Sequence, residues 1–303
     1  MSKQYELVII GSGPAGLTAA IYASRARIDC VVIEQNVLSG GQILNTYEVD
    51  NYPGLPGISG LDLGNKMREH ADRFGIEFLE DYVKSVEEEG EFKKVNTGSG
   101  EIITKAVVIA TGASHRLLGI PGEEELSGMG VSYCATCDGA FFKEKEVFVI
   151  GGGDTAIEDA LFLSRICARV NLVHRRGSLR GNKAIQEKLF NTANVNIIWD
   201  SIPEKIFGEE KVESIAIKNI KNNEISYLDA DGVFVAIGIE PNKIGLPKEL
   251  DLTTDGYIIA DESCATNVPG IFAAGDIRNK NLRQIVTAVA DGANAITSVE
   301  RFL

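Results

Sequence analysis

Short apolar runs that lead into glycine-rich turns alternate with helical patterns along this chain, and the same order occurs twice. The first run is Tyr5 to Ile10 and the second is Lys145 to Ile150. A helical spacing of apolar residues follows each turn, and a β-rich segment comes next, Cys30 to Ile33 in one case and Arg169 to Val173 in the other. Strands on both sides of a helix are typical of a βαβ unit in a parallel sheet. The pattern therefore predicts two copies of one unit.

Each copy continues in the same way. A helix-like stretch, residues 61–74 or 183–192, precedes several short strands that are separated by polar turns. Both copies end on an apolar strand that runs into glycine, at residues 106–112 and 233–238. A short loop follows each of these strands, and we expect the two loops to connect two domains.

Residues after about Pro241 belong to neither copy. The apolar strand 271–274 runs into Gly275-Asp276, and residues 284–302 have the apolar spacing of a closing helix. A separate fragment of about 60 residues would be only marginally stable as a folded domain, so we place this tail on the first domain. The alternative is a chain of three consecutive units. The predicted fold is α/β, with two Rossmann-like three-layer domains, the second inserted into the first. Its boundaries are 1–114 and 243–303 for the first domain and 115–242 for the second.

Composition limits the possible partners and compartment. The 303 residues carry a net charge of -13, which works against binding to nucleic acid or anionic lipid. The N-terminus lacks the apolar stretch of a signal peptide and no later run is long enough to span a bilayer, so we expect a cytoplasmic protein without a membrane partner. Five cysteines do not suggest a secreted disulfide framework, and Cys30, Cys167 and Cys264 are predicted core thiols.

The first glycine turn has the features of a dinucleotide site. Gly11 permits a tight turn, Gly13 lets backbone amides approach a pyrophosphate, and Gly16 allows close packing of helix on strand. Glu34, 23 positions after Gly11, can accept hydrogen bonds from a ribose diol but would repel a 2'-phosphate. The turn is therefore predicted to bind FAD or NAD, with an ordinary tight turn as the alternative.

The second glycine turn predicts a different nucleotide. The position that matches Glu34 is His174, followed by Arg175, Arg176 and Arg180. Guanidinium groups bind a phosphate through two hydrogen bonds, so this cluster suits the 2'-phosphate of NADPH better than the diol of NADH. A solvated basic turn is the alternative.

Two cysteines lie between the glycine turns, in the sequence Cys134-Ala135-Thr136-Cys137. Their spacing suits a redox disulfide, particularly where a helix begins and stabilises a thiolate. A structural zinc site is the competing reading, but it needs two more ligands, and the chain has no second cysteine pair of this kind and only three histidines. No metal is predicted. Asp138 follows the pair and is either a proton donor to the leaving thiolate or a helix cap.

Several motifs occur together in a defined order. They are Gly11-Ser12-Gly13-Pro14-Ala15-Gly16, Gly40-Gly41-Gln42, Asn51-Tyr52-Pro53-Gly54, Ala110-Thr111-Gly112, Cys134-Ala135-Thr136-Cys137-Asp138-Gly139, Gly151-Gly152-Gly153-Asp154-Thr155-Ala156, His174-Arg175-Arg176, Ala274-Gly275-Asp276 and Arg283-Gln284. In this set, and over essentially its whole length, the chain resembles the low-molecular-weight thioredoxin reductases.

The resemblance implies a homodimeric flavoenzyme with FAD in the first domain, NADPH in the inserted domain and thioredoxin as the disulfide substrate. It implies that Cys137 faces the flavin, that Cys134 attacks thioredoxin and that Asp138 is the acid/base. The cofactor-binding residues predicted in this way are Gly11, Gly13, Pro14, Ala15, Gly16, Glu34, Gln35, Gly41, Gln42, Asn51, Val83, Ala110, Thr111, Gly112, Asp276, Arg283, Gln284, Ile285, Gly151, Gly153, Asp154, Thr155, Ala156, His174, Arg175, Arg176, Arg180, Ile237 and Gly238.

One flavin must meet both the dithiol and the nicotinamide, and both groups cannot occupy one face together. We therefore expect the inserted domain to rotate about its connections near 113–115 and 240–242. Two alternatives stay open. One is a related flavin disulfide reductase with NADH or ferredoxin as donor, or with another protein acceptor. The other is a non-catalytic redox sensor, for which a second nucleotide site has no purpose.

Overall fold

A computed structural model describes residues 3–46, 49, 51–243 and 245–303. The first part of the chain builds most of a seven-stranded sheet. Its elements are β1 (Lys3–Ile10), α1 (Pro14–Arg25), β2 (Cys30–Glu34), α2 (Gly60–Asp72), β3 (Glu77–Glu80), β4 (Val83–Glu89), β5 (Phe92–Thr97) and β6 (Glu101–Ile109). The strand order is β3-β2-β1-β6-β5-β4. Strands β1, β2, β3 and β6 pair in parallel, and β4 and β5 form an antiparallel hairpin attached to β6.

Strand β1 is buried on both of its faces. Leu7 and Ile9 belong to one apolar cluster, with α1, whereas Val8 and Ile10 belong to a second cluster on the opposite face. Successive side chains of a strand point to opposite faces, and a strand covered on both reads as a continuous apolar run. This burial explains why residues 7–10 form a continuous apolar run without polar alternation.

The chain then crosses into a second unit built around a five-stranded parallel sheet. Its elements, with the crossings, are β7 (Ala113–His115), β8 (Val131–Ser132), α3 (Ala135–Asp138), β9 (Glu146–Gly151), α4 (Asp154–Leu163), β10 (Arg169–Val173), α5 (Lys183–Phe190), β11 (Val195–Ile198), β12 (Ser201–Phe207), β13 (Ser214–Asn219), β14 (Ile225–Asp229), β15 (Gly232–Ala236) and β16 (Ile239–Pro241). The order of the parallel sheet is β11-β10-β9-β15-β8. Strands β12, β13 and β14 form a separate antiparallel sheet, and β7 pairs with β16.

The C-terminal part of the chain returns to the first unit. Strand β17 (Ile271–Ala273) pairs in parallel with β6, and α6 (Ile285–Phe302) ends the chain. Helix α6 packs closely on α1, because a side chain in place of Gly292 would collide with the backbone of Ala15. The tail therefore completes the first domain, and the second Rossmann-type domain is inserted into the first, as the sequence predicts.

Two compact units divide the chain. The first comprises Met1–Leu44, Ile58–Ser114 and Glu240–Leu303, and the second comprises Asn45–Gly57 and His115–Ile239. This division differs from the expected boundaries at residues 45–57 and 240–242. Residues 240–242 group with the first unit because Asn242 hydrogen-bonds to the segment that follows β6. The domain boundaries of 1–114, 115–242 and 243–303 stay a prediction.

The helices and strands expected from the patterns occur close to their predicted positions. The helices expected at 61–74, 183–192 and 284–302 are α2, α5 and α6. Cys167 and Cys264 are buried as expected, whereas Cys30, at the start of β2, is only partly buried. Among the described residues, no helix combines the length and apolar character needed to cross a bilayer.

Candidate functional site

The first glycine turn connects β1 to α1 and leaves open space above the helix N-terminus. Gly11 has φ +100°, and a Cβ there would lie 2.6 Å from the carbonyl oxygen of Ala110. A Cβ on Gly13, the N-cap of α1, would meet nothing closer than the carbonyl oxygen of Gly40 at 4.0 Å. The missing side chain at Gly13 thus exposes the backbone N–H groups of the first helical turn to an approaching anion.

Glu34, the last residue of β2, is tied to this turn. Its Oε2 accepts hydrogen bonds from the backbone N–H and the hydroxyl of Ser12, each at 2.8 Å. Its Oε1 accepts from the backbone N–H and the side-chain amide of Asn36, each at 3.0 Å. A carboxylate has about four acceptor positions, so these bonds hold it in a fixed orientation at the edge of the glycine turn. A ribose hydroxyl that binds there must replace one of these donors.

A third part of this site is the turn Gly275–Ile277 between β17 and α6. Gly275 donates its N–H to Asp291 Oδ2 at 2.9 Å, and Asp291 also accepts two bonds from Arg278 and one from Lys280. Burial alone would raise the pKa of Asp291, but the hydrogen bonds from Arg278 and Lys280 outweigh burial and lower it. Asp291 therefore stays ionised and fixes the turn that carries Asp276.

Asp276 lies in this turn and has a buried carboxyl oxygen. Among the described residues, nothing hydrogen-bonds to its Oδ1, and burial raises the pKa of this carboxyl while Lys280 and Arg283 oppose the increase. A buried polar atom without a partner is unfavourable, and such atoms often mark a ligand site. The glycine turn, Glu34 and the unpaired oxygen of Asp276 together fit a dinucleotide that also presents a hydrogen-bond donor to Asp276.

The other residues predicted to bind FAD lie in several parts of the fold. Ala110, Thr111 and Gly112 directly follow β6, and Pro14, Ala15 and Gly16 form the first turn of α1. Gln284 caps α6 ahead of Ile285, and the Arg283 guanidinium lies 4.0 Å from the ring centre of Tyr257. Gln35, Gly41 and Gln42 are exposed, and Val83 is buried at the start of β4. Asn51 belongs to the segment Asn45–Gly57, which groups with the second unit.

The second glycine turn connects β9 to α4 in the same manner. Gly153 is the N-cap of α4, and a Cβ on it would meet no atom within 4 Å. Asp154 Oδ1 accepts a hydrogen bond from the backbone N–H of Asn182 at 2.6 Å, and Arg180 N–H donates to the carbonyl of Gly152 at 2.8 Å. These bonds draw the segment that follows β10 toward the turn. Thr155 and Ala156 continue the helix, and Ile237 and Gly238 follow β15.

His174 and the three arginines have different environments. The His174 ring is buried, with Nδ1 at 2.9 Å from the Gly151 carbonyl oxygen and Nε2 at 3.0 Å from that of Ser178. Burial lowers its pKa, opposed by the two carbonyl contacts. Arg175, Arg176 and Arg180 are exposed. Both ring nitrogens of His174 contact backbone carbonyls, whereas the three arginines are exposed to an approaching phosphate. Direct contact of His174 with the nucleotide stays a prediction.

The cysteine pair lies in the second unit, where β8 ends and α3 begins. Cys134 and Cys137 form a disulfide with their Cα atoms 5.3 Å apart. Cys134 is the N-cap of α3, and the N–H groups of Cys137 and Asp138 both donate to its carbonyl oxygen. Both cysteines are partly exposed. The described residues contain no group of three or more histidine, cysteine or acidic side chains placed to hold a metal ion.

A polar network that was not predicted from the sequence lies beside the cysteines. Glu123, 1% exposed, accepts hydrogen bonds from the N–H groups of Leu118 and Gly119 at 2.8 Å and from the Tyr133 hydroxyl at 3.1 Å. The Tyr133 ring stacks on His115 with their centres 5.0 Å apart. The residue before Cys134 is thus fixed by a buried carboxylate. In the sequence, the signal for this network is an acidic residue directly after a glycine, Gly122-Glu123.

The chain is similar to known proteins over almost its whole length. Residues 5–292 match the family described as "Pyridine nucleotide-disulphide oxidoreductase". A protein named thioredoxin reductase from Listeria innocua serovar 6a is 47% identical over 307 residues, which cover 99% of this chain and 94% of that protein. Another, from Listeria monocytogenes serovar 1/2a, is 48% identical over 304 residues with the same coverage. The crystal structure of thioredoxin reductase from Streptococcus pyogenes is 44% identical, with a TM-score of 0.94 over 100% of this chain and 99% of that one.

Proposed function

The chain belongs to the pyridine nucleotide-disulphide oxidoreductase family, and we propose that it is an NADPH-dependent, FAD-containing thioredoxin reductase. Family membership and its relatives support an oxidoreductase that acts on a disulfide and uses a flavin and a pyridine nucleotide. The observation that carries the proposal is the Cys134–Cys137 disulfide in a chain with two open glycine turns, each at the N-terminus of a helix.

We assign FAD to the first unit and NADPH to the second. Glu34 supports FAD at the first turn, because a carboxylate accepts hydrogen bonds from a free ribose diol. Exposed Arg175, Arg176 and Arg180 support NADPH at the second, because they can bind a 2'-phosphate. When bound, the two cofactors supply the electron pair that reduces the disulfide, by hydride transfer from the nicotinamide to the flavin.

The chemistry of the cysteines balances with one proton from the protein. Two electrons break the Cys134–Cys137 bond, and one proton from Asp138 leaves one thiolate and one thiol. The Cys134 thiolate attacks the thioredoxin disulfide, which forms a mixed disulfide and releases one thioredoxin sulfur. The Cys137 thiol then returns its proton to Asp138, and the resulting thiolate displaces the second sulfur and restores the Cys134–Cys137 bond. The two thioredoxin sulfurs thus leave as thiolates and take their protons from water. The partial exposure of both cysteines is compatible with this exchange and does not by itself decide which one attacks.

The proposal includes the rotation of the inserted domain expected from the sequence. The chain offers two connections for it, β7 and β16, which pair with each other. Rotation would let the disulfide and the nicotinamide reach one flavin in turn and would expose the thiols to thioredoxin. The homodimer and the cytoplasmic location stay predictions.

The test is steady-state consumption of pyridine nucleotide by FAD-reconstituted protein with thioredoxin as acceptor. We expect rapid, thioredoxin-dependent oxidation of NADPH, slower oxidation of NADH, and loss of turnover in Cys134→Ser and Cys137→Ser. Faster reduction by reduced ferredoxin or NADH would assign the chain to another donor. Turnover with a different protein disulfide but not with thioredoxin would change the acceptor. If no nucleotide is consumed with any acceptor, the redox sensor becomes the better account.

A further inference from the structure

Ser132 lies between the backbone of Cys134 and the carboxyl group of Asp138. Its hydroxyl donates to Asp138 Oδ2 at 2.6 Å, and the N–H of Cys134 donates to the same Ser132 oxygen at 3.1 Å. Strand β8 pairs with β15 and fixes the Ser132 backbone. Ser132 is 5% exposed. One buried hydroxyl thus joins the cysteine that is predicted to attack thioredoxin with the predicted acid/base.

We propose that Ser132 is a positioning residue for Asp138, and that it makes Oδ1 the oxygen that carries the transferable proton. The inference rests on the proposed reduction of the Cys134–Cys137 disulfide and identifies a residue that prepares the acid for it. The hydrogen bonds of the Ser132 hydroxyl and of the two Asp138 carboxyl oxygens support this role.

A serine hydroxyl has a single hydrogen to donate. Its distance to Asp138 Oδ2 is 2.6 Å, whereas its distance to the Cys134 carbonyl oxygen is 3.4 Å. A short O–H···O distance is typical of a hydroxyl that donates to a carboxyl group. Oδ2 therefore accepts the Ser132 hydrogen.

The second oxygen of Asp138 has the opposite character. Oδ1 is buried and, among the described residues, has no hydrogen-bond partner. A proton on the carboxyl group is then held at Oδ1, because Oδ2 already receives a hydrogen from Ser132. Burial raises the pKa of Asp138, and the hydrogen bond from Ser132 opposes that increase. Ser132 thus limits the cost of ionising Asp138 after its proton has left.

The proton step fits the redox balance of the disulfide. Two electrons break the S–S bond, and the Oδ1 proton moves to one sulfur, which leaves one thiolate, one thiol and an Asp138 carboxylate. Ser132 keeps its hydrogen throughout and stabilises the carboxylate. On reoxidation by a disulfide substrate, the proton returns to Oδ1.

Other ionisable groups lie near α3, and their titration must be distinguished from that of Asp138. Helix α4, which packs on α3, carries Glu158 and Asp159, and burial with the nearby charge of Glu158 raises the pKa of Asp159 to about 7. On the β8 side, burial raises the pKa of Tyr133, with Glu123 adding to the effect, and burial lowers the pKa of His115. Asp159 is therefore the matched control for Asp138, since it is a second partly buried carboxyl group in the same unit.

The experiment is an infrared titration of the full-length chain as purified. The carbonyl stretch of a protonated carboxyl group is assigned to Asp138 by its loss in Asp138→Asn. Asp159→Asn and Asp276→Asn identify the bands of the two other carboxyl groups whose pKa is raised by burial. Ser132→Ala is expected to raise the apparent pKa of Asp138 by about one to two units, since the carboxylate loses a hydrogen bond to a charged group. Ser132→Thr, which keeps the hydroxyl, should titrate like the parent. Should Ser132→Ala not fold, Ser132→Gly, which also lacks the hydroxyl, carries the same expectation.

A kinetic cycle separates positioning from a general structural role. Reduction of the Cys134–Cys137 disulfide by dithiothreitol needs neither nucleotide nor thioredoxin. Ser132→Ala should slow it by about tenfold, and in the Asp138→Asn background it should have no further effect. An unchanged Asp138 titration in Ser132→Ala, or a Ser132 effect that persists without Asp138, would overturn the inference. Failure to reduce thioredoxin with NADPH would instead count against the proposed function, because these measurements use neither.

Discussion

Thr111 and Asn242 hydrogen-bond to each other across 131 positions of sequence. The Thr111 hydroxyl donates to the Asn242 carbonyl oxygen at 2.8 Å, and the Asn242 side-chain amide donates to the Thr111 carbonyl oxygen at 2.9 Å. The Asn242 N–H also donates to the Gly112 carbonyl at 3.0 Å, and the Ser114 hydroxyl donates to Asn242 Oδ1 at 2.9 Å. One asparagine therefore holds the chain where it returns to the first unit.

Asn242→Ala should loosen this segment. Each intramolecular hydrogen bond contributes about 1 kcal/mol, and the variant loses the two made by the side chain. We expect amide hydrogen exchange of residues 112–116 and 239–242 to accelerate by about tenfold or more. Ser114→Ala, which removes only one of the two bonds, should give a smaller acceleration. Unchanged exchange in Asn242→Ala would contradict this role.

Glu34→Gln should weaken flavin binding. The amide nitrogen of glutamine cannot accept the hydrogen bonds that Ser12 donates or those of a ribose diol. We expect the dissociation constant for FAD, measured by flavin fluorescence on release, to rise by about tenfold or more. Glu80→Gln is the control, because Glu80 pairs with Glu34 in the register of β2 and β3 and is exposed. Equal losses in both variants would mean that charge alone, and not the contact at Glu34, governs binding.

The arginine cluster should determine the choice between NADPH and NADH. Replacing Arg175, Arg176 and Arg180 by alanine removes the groups proposed to bind the 2'-phosphate, so KM for NADPH should rise by about ten- to a hundredfold. KM for NADH, which has a free diol, should change little. Arg169→Ala, at the opposite end of β10, should leave both values near those of the parent. Parallel increases for the two nucleotides would remove the 2'-phosphate assignment.

The two cysteines should differ in their effect on flavin absorbance. Cys134→Ser leaves Cys137 as a single thiolate, and if Cys137 faces oxidised FAD a long-wavelength charge-transfer band should appear. Cys137→Ser should lack this band. The spectra of the two FAD-reconstituted variants test the assignment directly, and a band in Cys137→Ser alone would exchange the two roles.

Local patterns predicted much of the molecule. Glycine spacing and apolar period located both βαβ units and α6, because these properties depend on residues close in sequence. The partners of Asn242 and Ser132 were not predictable, since they depend on how distant segments pack. His174 shows the same limit: its position at the end of β10 follows from the pattern, but the burial of its ring depends on the Gly151 and Ser178 carbonyls that surround it.

We propose that electrons from NADPH reach Cys134 and Cys137. The most direct measurement is anaerobic addition of NADPH to FAD-reconstituted protein, followed by alkylation and mass analysis of the peptide that contains both cysteines. We expect two alkylated cysteines after NADPH and their loss again after oxidised thioredoxin is added. A peptide that keeps its disulfide in excess NADPH would contradict the account.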